Sequence, residues 1–349
     1  MAITVVGAGA IGGVTAAALA RAGHEVLVVD VAADHVAVVN RDGLTVETPG
    51  GAWTARLRAI TPTELAGRLE LVLLAVKSQH TVDALDAVAP RLAPDGAIVS
   101  LQNGLNEELI ATRVGAERTV GCLVNWAADW IAPGRIQHGG TGAFRVGELD
   151  GTVSPRVKEL AALLDVVAPA GVTDNICGCK WAKHVYGALL VATALVDAHV
   201  YDVVERSPAI QRTLVRLVAE GMTVAAAAGV RLEAFDEFDP AWYRAGAAGD
   251  GEAVGRAMGA IARHYRAHTK TKTGIWRDLA VRKRKTEVGA HLGATIQKAE
   301  ARGVPVPLTR RLLGLIGELE SGRRPMAWEN LSELVALGDS LSPLGRGSG

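Results

Sequence analysis

Three glycines near the start of the chain have the spacing of a pyrophosphate-binding turn. Gly7, Gly9 and Gly12 follow a short apolar run, and an Ala-rich helical segment follows them. Gly7 permits a tight turn, Gly9 has no Cβ to block a pyrophosphate, and Gly12 allows close packing of helix and strand. The helix N-terminus, with Ala10 and Ile11, adds N–H groups and a partial positive charge. This segment predicts a dinucleotide-binding turn, with a glycine-rich turn without ligand as the alternative.

An acidic residue closes the second predicted strand. Asp30 ends the segment 24–30, where a carboxylate can accept hydrogen bonds from both hydroxyls of an adenosine ribose. A 2′-phosphate would face this carboxylate at close range, and the first arginine after the strand is Arg41. We therefore predict NAD as the cofactor, with NADP less favoured. A role of Asp30 as N-cap of a helix at 32–39 would be compatible with ribose binding.

The composition excludes several classes of protein. The chain has 349 residues, 49% hydrophobic and 21% charged, which is enough for two packed domains. Lys plus Arg and Asp plus Glu number 37 each, so no net charge favours a nucleic acid or an anionic membrane. The cysteines Cys122, Cys177 and Cys179 lack the spacing of a zinc or redox motif, and no metal site is predicted. Without a predicted leader or membrane span, the expected location is the cytoplasm.

Hydrophobic patterns divide the chain into two regions. In residues 1–172 apolar runs alternate with helical segments, as in a parallel sheet with crossover helices. In residues 173–339 long Ala- and Leu-rich segments have helical periodicity. We predict an α/β protein with an N-terminal Rossmann dinucleotide-binding domain and an all-helical C-terminal substrate and dimerisation domain. The Gly- and Ser-rich segment 340–349 is predicted to be a disordered tail.

Individual elements follow from the same patterns. Strands are predicted at 3–6, 24–30, 69–76, 97–101, 120–127 and 135–146, the last interrupted at 139–140. Helices are predicted at 15–21, 32–39, 82–92, 178–206, 208–229, 250–268 and 286–302. The last two strands are less regular, which leaves antiparallel pairing open for them.

Polar segments occur where active-site residues of such a protein are expected, at strand ends and on the first helix of the second region. They are 75–79, 100–107, 180–184 and 285–288. Together with the glycine turn and the segment 303–307, in this order, they resemble the ketopantoate reductase (2-dehydropantoate 2-reductase) family over nearly the whole chain. The resemblance implies hydride transfer between a nicotinamide and a carbonyl or secondary alcohol, in a cleft between the two domains.

The resemblance also implies roles for individual side chains. Lys183 matches the family's catalytic lysine, which stabilises the alkoxide and transfers its proton, with Lys180 as second choice. Glu287 matches a carboxylate that binds a substrate hydroxyl near the lysine. Asn103 matches an amide that bridges nicotinamide ribose, substrate and lysine, and Lys77 matches a lysine of the cofactor pocket. The structural alternatives are a solvated lysine, an ion-paired glutamate, an Asn-Gly turn and an exposed strand-end lysine.

The chain departs from the family pattern beside the proposed catalytic lysine. The asparagines that family members carry four and eight residues after it are replaced by Gly187 and Val191. A pocket lined partly by these residues and Trp276 would suit a substrate that is bulkier or more apolar than ketopantoate. His184 is a weaker candidate for a polar substrate contact, with a structural role as the alternative.

The residues and the resemblance together predict an NAD-dependent oxidoreductase acting on CH–OH, with a 2-oxo acid or related ketone as substrate. An imine- or opine-type reductase on the same fold and a non-catalytic NAD-binding sensor are the alternatives. Long apolar helices such as 208–229 predict a homodimer. Apart from a small-molecule substrate, no nucleic acid or membrane partner is expected.

Overall fold

The chain folds as two units of different secondary structure. The computed structural model describes residues 2–140, 142–267 and 270–341, and the units divide after Lys180. The first unit is α/β and the second is helical, which confirms the predicted fold class. The division falls inside a helix, and the domain limit at residue 172 stays a prediction.

Within its described residues the first unit has twelve strands and five α-helices that lie wholly inside it. The strands are β1 (Ile3–Val6), β2 (Val26–Val29), β3 (Leu44–Thr48), β4 (Gly51–Ala55), β5 (Arg58–Ile60), β6 (Leu69–Leu74), β7 (Leu92–Ser100), β8 (Thr119–Asn125), β9 (Ala128–Ala132), β10 (Arg135–His138), β11 (Ala143–Glu148) and β12 (Ala170–Val172). The helices are α1 (Ala10–Arg21), α2 (Ala33–Asp42), α3 (Thr81–Val88), α4 (Glu107–Val114) and α5 (Pro155–Leu164).

An eight-stranded sheet forms the centre of this unit, in the order β12-β11-β8-β7-β6-β1-β2-β5. Its neighbours pair in parallel except for β8 and β11, which are antiparallel, one of the alternatives left open for the irregular strands. The strand order reverses at β1, with β2 on one side and β6 on the other. The carboxyl ends of three strands are in line, because Val6 pairs with Leu74 and Leu74 with Ser100. Open α/β sheets bind ligands at such an edge.

The central strands are largely apolar because helices cover both faces of the sheet. All four residues of β1 are buried, and so are residues 71–74 of β6. This continuous burial is why the sequence pattern located both strands correctly. The strand β6 ends at Leu74, before the predicted end at residue 76.

A second sheet, in the order β4-β3-β10-β9, packs on the other side of α1. A Cβ built on Gly13 of α1 would lie 2.0 Å from Cδ1 of Ile136 in β10, so this approach requires glycine. The predicted strand 135–146 is two strands, of which β10 belongs to this sheet. The sequence pattern missed the other three strands, because strands such as β4 are largely exposed and lack an apolar run.

The second unit consists of helices. The helix α6 (Ile176–Thr193) begins before the division, and it is followed by α7 (Val200–Val204), α8 (Pro208–Ala227), α9 (Pro240–Ala247), α10 (Gly251–Ala267), α11 (Gly274–Ala280), α12 (Val288–Glu300), α13 (Pro307–Glu320) and α14 (Trp328–Ser340). Several start at sequence-encoded caps. The Ser207 hydroxyl, for instance, accepts a hydrogen bond from the Ile210 N–H at 3.3 Å, with Pro208 in the first turn.

Several other predicted boundaries were also wrong. The helix predicted at 178–206 ends at Thr193, and α7 restarts after His199, whose N–H is bonded to the Asp202 carboxylate. The helix predicted at 82–92 ends at Val88, because a 3₁₀ turn containing Pro90 leads directly into β7. The predicted tail begins one residue too early, since residue 340 ends α14; residues 342–349 lie outside the described ranges, as does residue 268.

Candidate active site

The glycine turn joins β1 to α1 at the carboxyl edge of the sheet. Gly7 has φ +94°, which favours glycine, and its N–H donates to the Val29 carbonyl at 2.8 Å. A Cβ on Gly12 would lie 2.0 Å from the Gly7 carbonyl oxygen and 2.8 Å from Cβ of Ala75. Gly12 therefore holds the helix against the turn and the strand, as predicted from its spacing.

Gly9 has a different environment from the other two glycines. No atom lies within 4 Å of a Cβ built on this residue, so the space beside it is open. Gly9 is also the N-cap of α1, and no side chain caps this end of the helix. The first helical residues, Ala10 and Ile11, thus begin a helix terminus that suits an anion. The residues fit the pyrophosphate of a dinucleotide.

Asp30 lies at the end of β2 beside this turn. Its carboxylate accepts hydrogen bonds from the Ala8 N–H at 2.7 Å and from the Ala32 N–H at 2.9 Å. Ala32, and not Asp30, is the N-cap residue of α2. The guanidinium of Arg41 is paired with the neighbouring Asp42 at 2.6 Å. Asp30 is therefore fixed at the strand end by the backbone of the glycine turn itself.

Lys77 and Asn103 follow β6 and β7 at the same edge of the sheet. Both side chains are exposed. The two loops are joined, because the Ser78 hydroxyl and the Asn106 amide both donate to the Asn103 carbonyl, at 2.9 and 2.8 Å. Gly104 has φ +87°, so the Asn-Gly pair does form a turn. The Asn103 side chain makes no hydrogen bond within the ranges that the structure describes.

Lys180 is a structural lysine inside the first unit. Only 4% of its side chain is exposed, and Nζ lies 2.8 Å from Oε1 of Glu107. Nζ also donates to the carbonyl of Gln102, whose own amide donates to the Val76 carbonyl at 2.9 Å. These contacts hold the loops after β6 and β7 together. The sequence analysis missed Glu107 and Gln102, although both lie in a segment it had selected.

Lys183 and Glu287 belong to the second unit. Lys183 is half-buried on α6. Glu287 is the half-buried N-cap of α12, which begins at Val288, two residues after the predicted helix start. Arg282 and Arg284 pair with Asp278, at 3.1 and 2.9 Å, and not with Glu287. Within the described residues the Glu287 carboxylate has no hydrogen bond or ion pair. The ion pair considered as the alternative role of Glu287 is therefore not observed.

Thr286 fixes the segment that carries this carboxylate. Both its N–H and its hydroxyl donate to Oε1 of Glu320, at 2.8 and 2.6 Å. Glu320 ends α13, so the start of α12 is tied to a neighbouring helix. Glu287 is thus held by backbone contacts while its own side chain remains available.

The other residues predicted to contact substrate have mixed environments. His184 is 2% exposed, and its Nε2 lies 2.8 Å from Oγ1 of Thr295, in keeping with its structural alternative. Val191 is 1% exposed and belongs to the core. The Trp276 indole N–H donates to Asp197 at 2.9 Å. Of these residues, Gly187 has the most informative environment.

His291 contacts Gly187 and was missed by the sequence analysis. Its Nε2 lies 3.0 Å from the His184 carbonyl oxygen, and the two imidazoles stack with centroids 4.0 Å apart. Desolvation lowers the pKa of His291 to about 4, and the hydrogen bond to the His184 backbone opposes this only in part. A usable signal was present, because His291 is four residues after Glu287 and thus on the same helix face.

Family models match most of the chain. The family model "Ketopantoate reductase PanE/ApbA" matches residues 3–151, and the model of its C-terminal region matches residues 175–320. The chain belongs to the ketopantoate reductase family. The predicted resemblance is thereby confirmed, and this family member is an oxidoreductase.

Relatives of this ketopantoate reductase family member cover nearly its whole length. The 2-dehydropantoate 2-reductase of Halobacterium salinarum is 28% identical over 321 residues, 90% of this chain and 98% of that protein. A PanE/ApbA family ketopantoate reductase from Ralstonia eutropha JMP134 has a TM-score of 0.77 at 26% identity, covering 93% and 99%. D-mandelate dehydrogenase, solved with NADH and anilino(oxo)acetate, has a TM-score of 0.77 at 23% identity, covering 92% and 99%. The last likeness concerns the fold alone.

Two further searches gave negative results for the described parts of the chain. No helix there is long and apolar enough to span a membrane. No three His, Cys, Asp or Glu side chains there are grouped so that they could hold a metal ion. The comparisons favour neither an imine reductase nor a sensor without turnover.

Proposed function

We propose that this ketopantoate reductase family member is an NAD-dependent dehydrogenase that interconverts a 2-oxo acid or related ketone with its secondary alcohol. The preference for NAD is inferred from the carboxylate of Asp30, which the N–H groups of Ala8 and Ala32 hold at the strand end. A carboxylate fixed at this position accepts hydrogen bonds from the ribose hydroxyls of NAD and repels the 2′-phosphate of NADP. D-mandelate dehydrogenase, which shares the fold, is solved with NADH.

The residues of the first unit divide the binding of the cofactor among them. The open space at Gly9 and the start of α1 would hold the pyrophosphate, and Asp30 the adenosine ribose. Lys77 and Asn103, on the joined loops after β6 and β7, would contact the nicotinamide half. When bound, the nicotinamide accepts or supplies the hydride.

The remaining chemistry is a proton transfer and the orientation of the substrate. In the direction of reduction, the Lys183 ammonium stabilises the developing alkoxide and donates a proton from Nζ to its oxygen. In the direction of oxidation, the neutral amine accepts that proton. Glu287 accepts a hydrogen bond from a substrate hydroxyl. Its carboxylate is available for this role because it has no partner in the described residues. Homodimer formation and a cytoplasmic location stay predictions from the sequence.

The direct test is turnover of a panel of 2-hydroxy acids, including pantoate, with NAD⁺ and NADP⁺ separately. We expect NADH formation with one or more of these acids. Amines serve as control substrates, since turnover restricted to amines would indicate an imine- or opine-type enzyme. Tight NAD⁺ binding without turnover of any alcohol would indicate a sensor.

A substitution at the end of β2 tests the cofactor preference. The double variant Asp30→Ser with Val31→Arg removes the carboxylate and places a guanidinium at a position where the present side chain is 83% exposed. We expect the ratio of kcat/KM for NAD⁺ over NADP⁺ to fall by about 100-fold, because repulsion of the 2′-phosphate is replaced by an ion pair.

Arg41→Ala is the matched control for this variant. Its guanidinium is already paired with Asp42, so the coenzyme preference should not change. A wild-type protein that prefers NADP⁺, or an Arg41→Ala variant that loses NADP⁺ turnover, would contradict the role given to Asp30.

A further inference from the structure

The imidazole of His291 occupies space that is available only because residue 187 has no side chain. A Cβ built on Gly187 would lie 2.8 Å from Cε1 and 2.9 Å from Nε2 of His291. Side-chain carbons do not approach this closely, so any larger residue at 187 would displace the ring. The glycine and the histidine therefore form a coupled pair.

This pair lies one helical turn from each of two proposed site residues. Gly187 follows Lys183 by four positions on α6, and His291 follows Glu287 by four positions at the start of α12. Residues four apart share a helix face. The imidazole thus lies along the face of α6 that carries the proposed acid and the face of α12 that carries the proposed carboxylate.

Hydrogen bonding determines which ring atom of His291 is available to a ligand. Nε2 lies 3.0 Å from the His184 carbonyl oxygen, and a carbonyl only accepts, so Nε2 carries the proton. Desolvation keeps the ring neutral at pH 7, which leaves a lone pair on Nδ1. Nδ1 makes no hydrogen bond with a residue that the structure describes, and His291 as a whole is half-buried. The ring therefore offers an acceptor and no donor.

Neighbouring contacts hold the ring in this orientation. The His184 imidazole stacks on it at 4.0 Å with an interplanar angle of 29°. His184 is itself held by Thr295, whose hydroxyl lies 2.8 Å from its Nε2. An acceptor held in one direction discriminates between ligands better than a mobile one, since little entropy is lost on binding.

We propose that His291 is a specificity-determining residue, whose Nδ1 accepts a hydrogen bond from a hydroxyl or N–H group of the substrate. The inference rests on the proposed function, because it takes Lys183 and Glu287 as parts of the same site. Two acceptors, Nδ1 and the Glu287 carboxylate, favour a substrate with donor groups beyond the reacting carbon and disfavour a second carboxylate there.

The test compares two acids that differ by one hydroxyl. Pantoate has a hydroxyl at its far end, and 2-hydroxy-3,3-dimethylbutanoate lacks it. His291→Phe keeps an aromatic ring and removes the acceptor. We expect kcat/KM for pantoate to fall about tenfold, chiefly through KM, and kcat/KM for the other acid to change less than about twofold.

Two more variants make the comparison independent of one substitution. Gly187→Ala pushes the imidazole aside and should produce the same selective loss. Thr295→Val removes the contact that holds His184 but leaves Nδ1 of His291 present, so the ratio between the two acids should change in the same direction by a smaller factor. Equal losses on both acids in the first two variants, or no loss on either, would overturn the role of His291.

Failure of the proposed function gives a different result. A wild-type protein that turns over neither acid would contradict the dehydrogenase activity, and calorimetric binding of the two acids in the presence of NAD⁺ would then test His291 directly. A loss of affinity confined to pantoate in His291→Phe supports the inference. No binding, or equal binding of both acids before and after the substitution, rejects it.

Discussion

Replacing Lys183 with alanine is expected to lower kcat for the 2-hydroxy acid substrate by a factor of about 1,000, because general acid–base catalysis contributes 10²- to 10⁴-fold. The substitution removes the proposed proton donor from α6, while the glycine turn and Asp30, which would hold the cofactor, belong to the other unit. The NAD⁺ dissociation constant should therefore remain within about twofold. Steady-state kinetics and NAD⁺ titration of the same preparation measure the two effects.

Lys180→Met is the matched control, three residues earlier on the same helix. Lys180 pairs with Glu107 in the interior, so this variant leaves a buried carboxylate without its partner. The expected cost is about 3–5 kcal/mol of unfolding free energy. Lys183 is half-buried, and its removal should cost less than about 1 kcal/mol. If Lys183→Ala retained turnover while the folded fraction of Lys180→Met lost it, Lys180 would be the acid.

Gly12→Ala is expected to destabilise the first unit by about 3 kcal/mol or more, the upper range for overpacking of a closely packed site. The new Cβ would meet the Gly7 carbonyl oxygen at 2.0 Å and Cβ of Ala75 at 2.8 Å. The first of these atoms belongs to the backbone and the second is bonded directly to it, so neither is a flexible side-chain end that could move aside. Denaturant unfolding followed by circular dichroism measures the loss.

Gly9→Ala, in the same turn, should behave in the opposite way. Its Cβ would have no atom within 4 Å, so stability should change by less than about 0.5 kcal/mol. The methyl group would, however, occupy the space proposed for the pyrophosphate, and NAD⁺ affinity should fall at least about tenfold. Unchanged NAD⁺ affinity in Gly9→Ala would move the pyrophosphate away from this turn.

Much of the fold could be predicted because burial leaves a direct record in the residue types. Strands such as β1 and β6 are covered on both faces and therefore largely apolar, and α8 begins at a Ser-Pro cap. The second sheet could not be found in this way. Its strands are short and partly exposed, and its central pairing joins β10 to β3, which are far apart in the chain, as Arg135 pairs with Thr45. Such pairing depends on tertiary contacts that a local pattern does not contain.

The site was predictable to a different degree in its two parts. Gly7, Gly9 and Gly12 would act through the backbone, and Asp30 through a carboxylate at a strand end, so their spacing alone predicts the roles proposed for them. The roles of the side chains on α6 are harder to predict. Lys180 and Lys183 lie less than one helical turn apart, yet only Lys180 pairs with Glu107 in the interior. The packing of His291 against Gly187 and its stacking on His184 depend on the contact of two helices more than one hundred residues apart in the chain.

The two consecutive glycines at the start of α1 have a consequence for how a cofactor would be received. Gly12 presses the helix against the central sheet, and Gly13 lets Ile136 of the second sheet approach its opposite side. The backbone of α1 is therefore closely packed on both sides, against the Gly7 carbonyl on one and a side-chain carbon of Ile136 on the other. The direction of its N–H groups is thus determined when the chain folds. The entropy cost of ordering this helix is part of the free energy of folding, and it does not reduce the affinity for the cofactor.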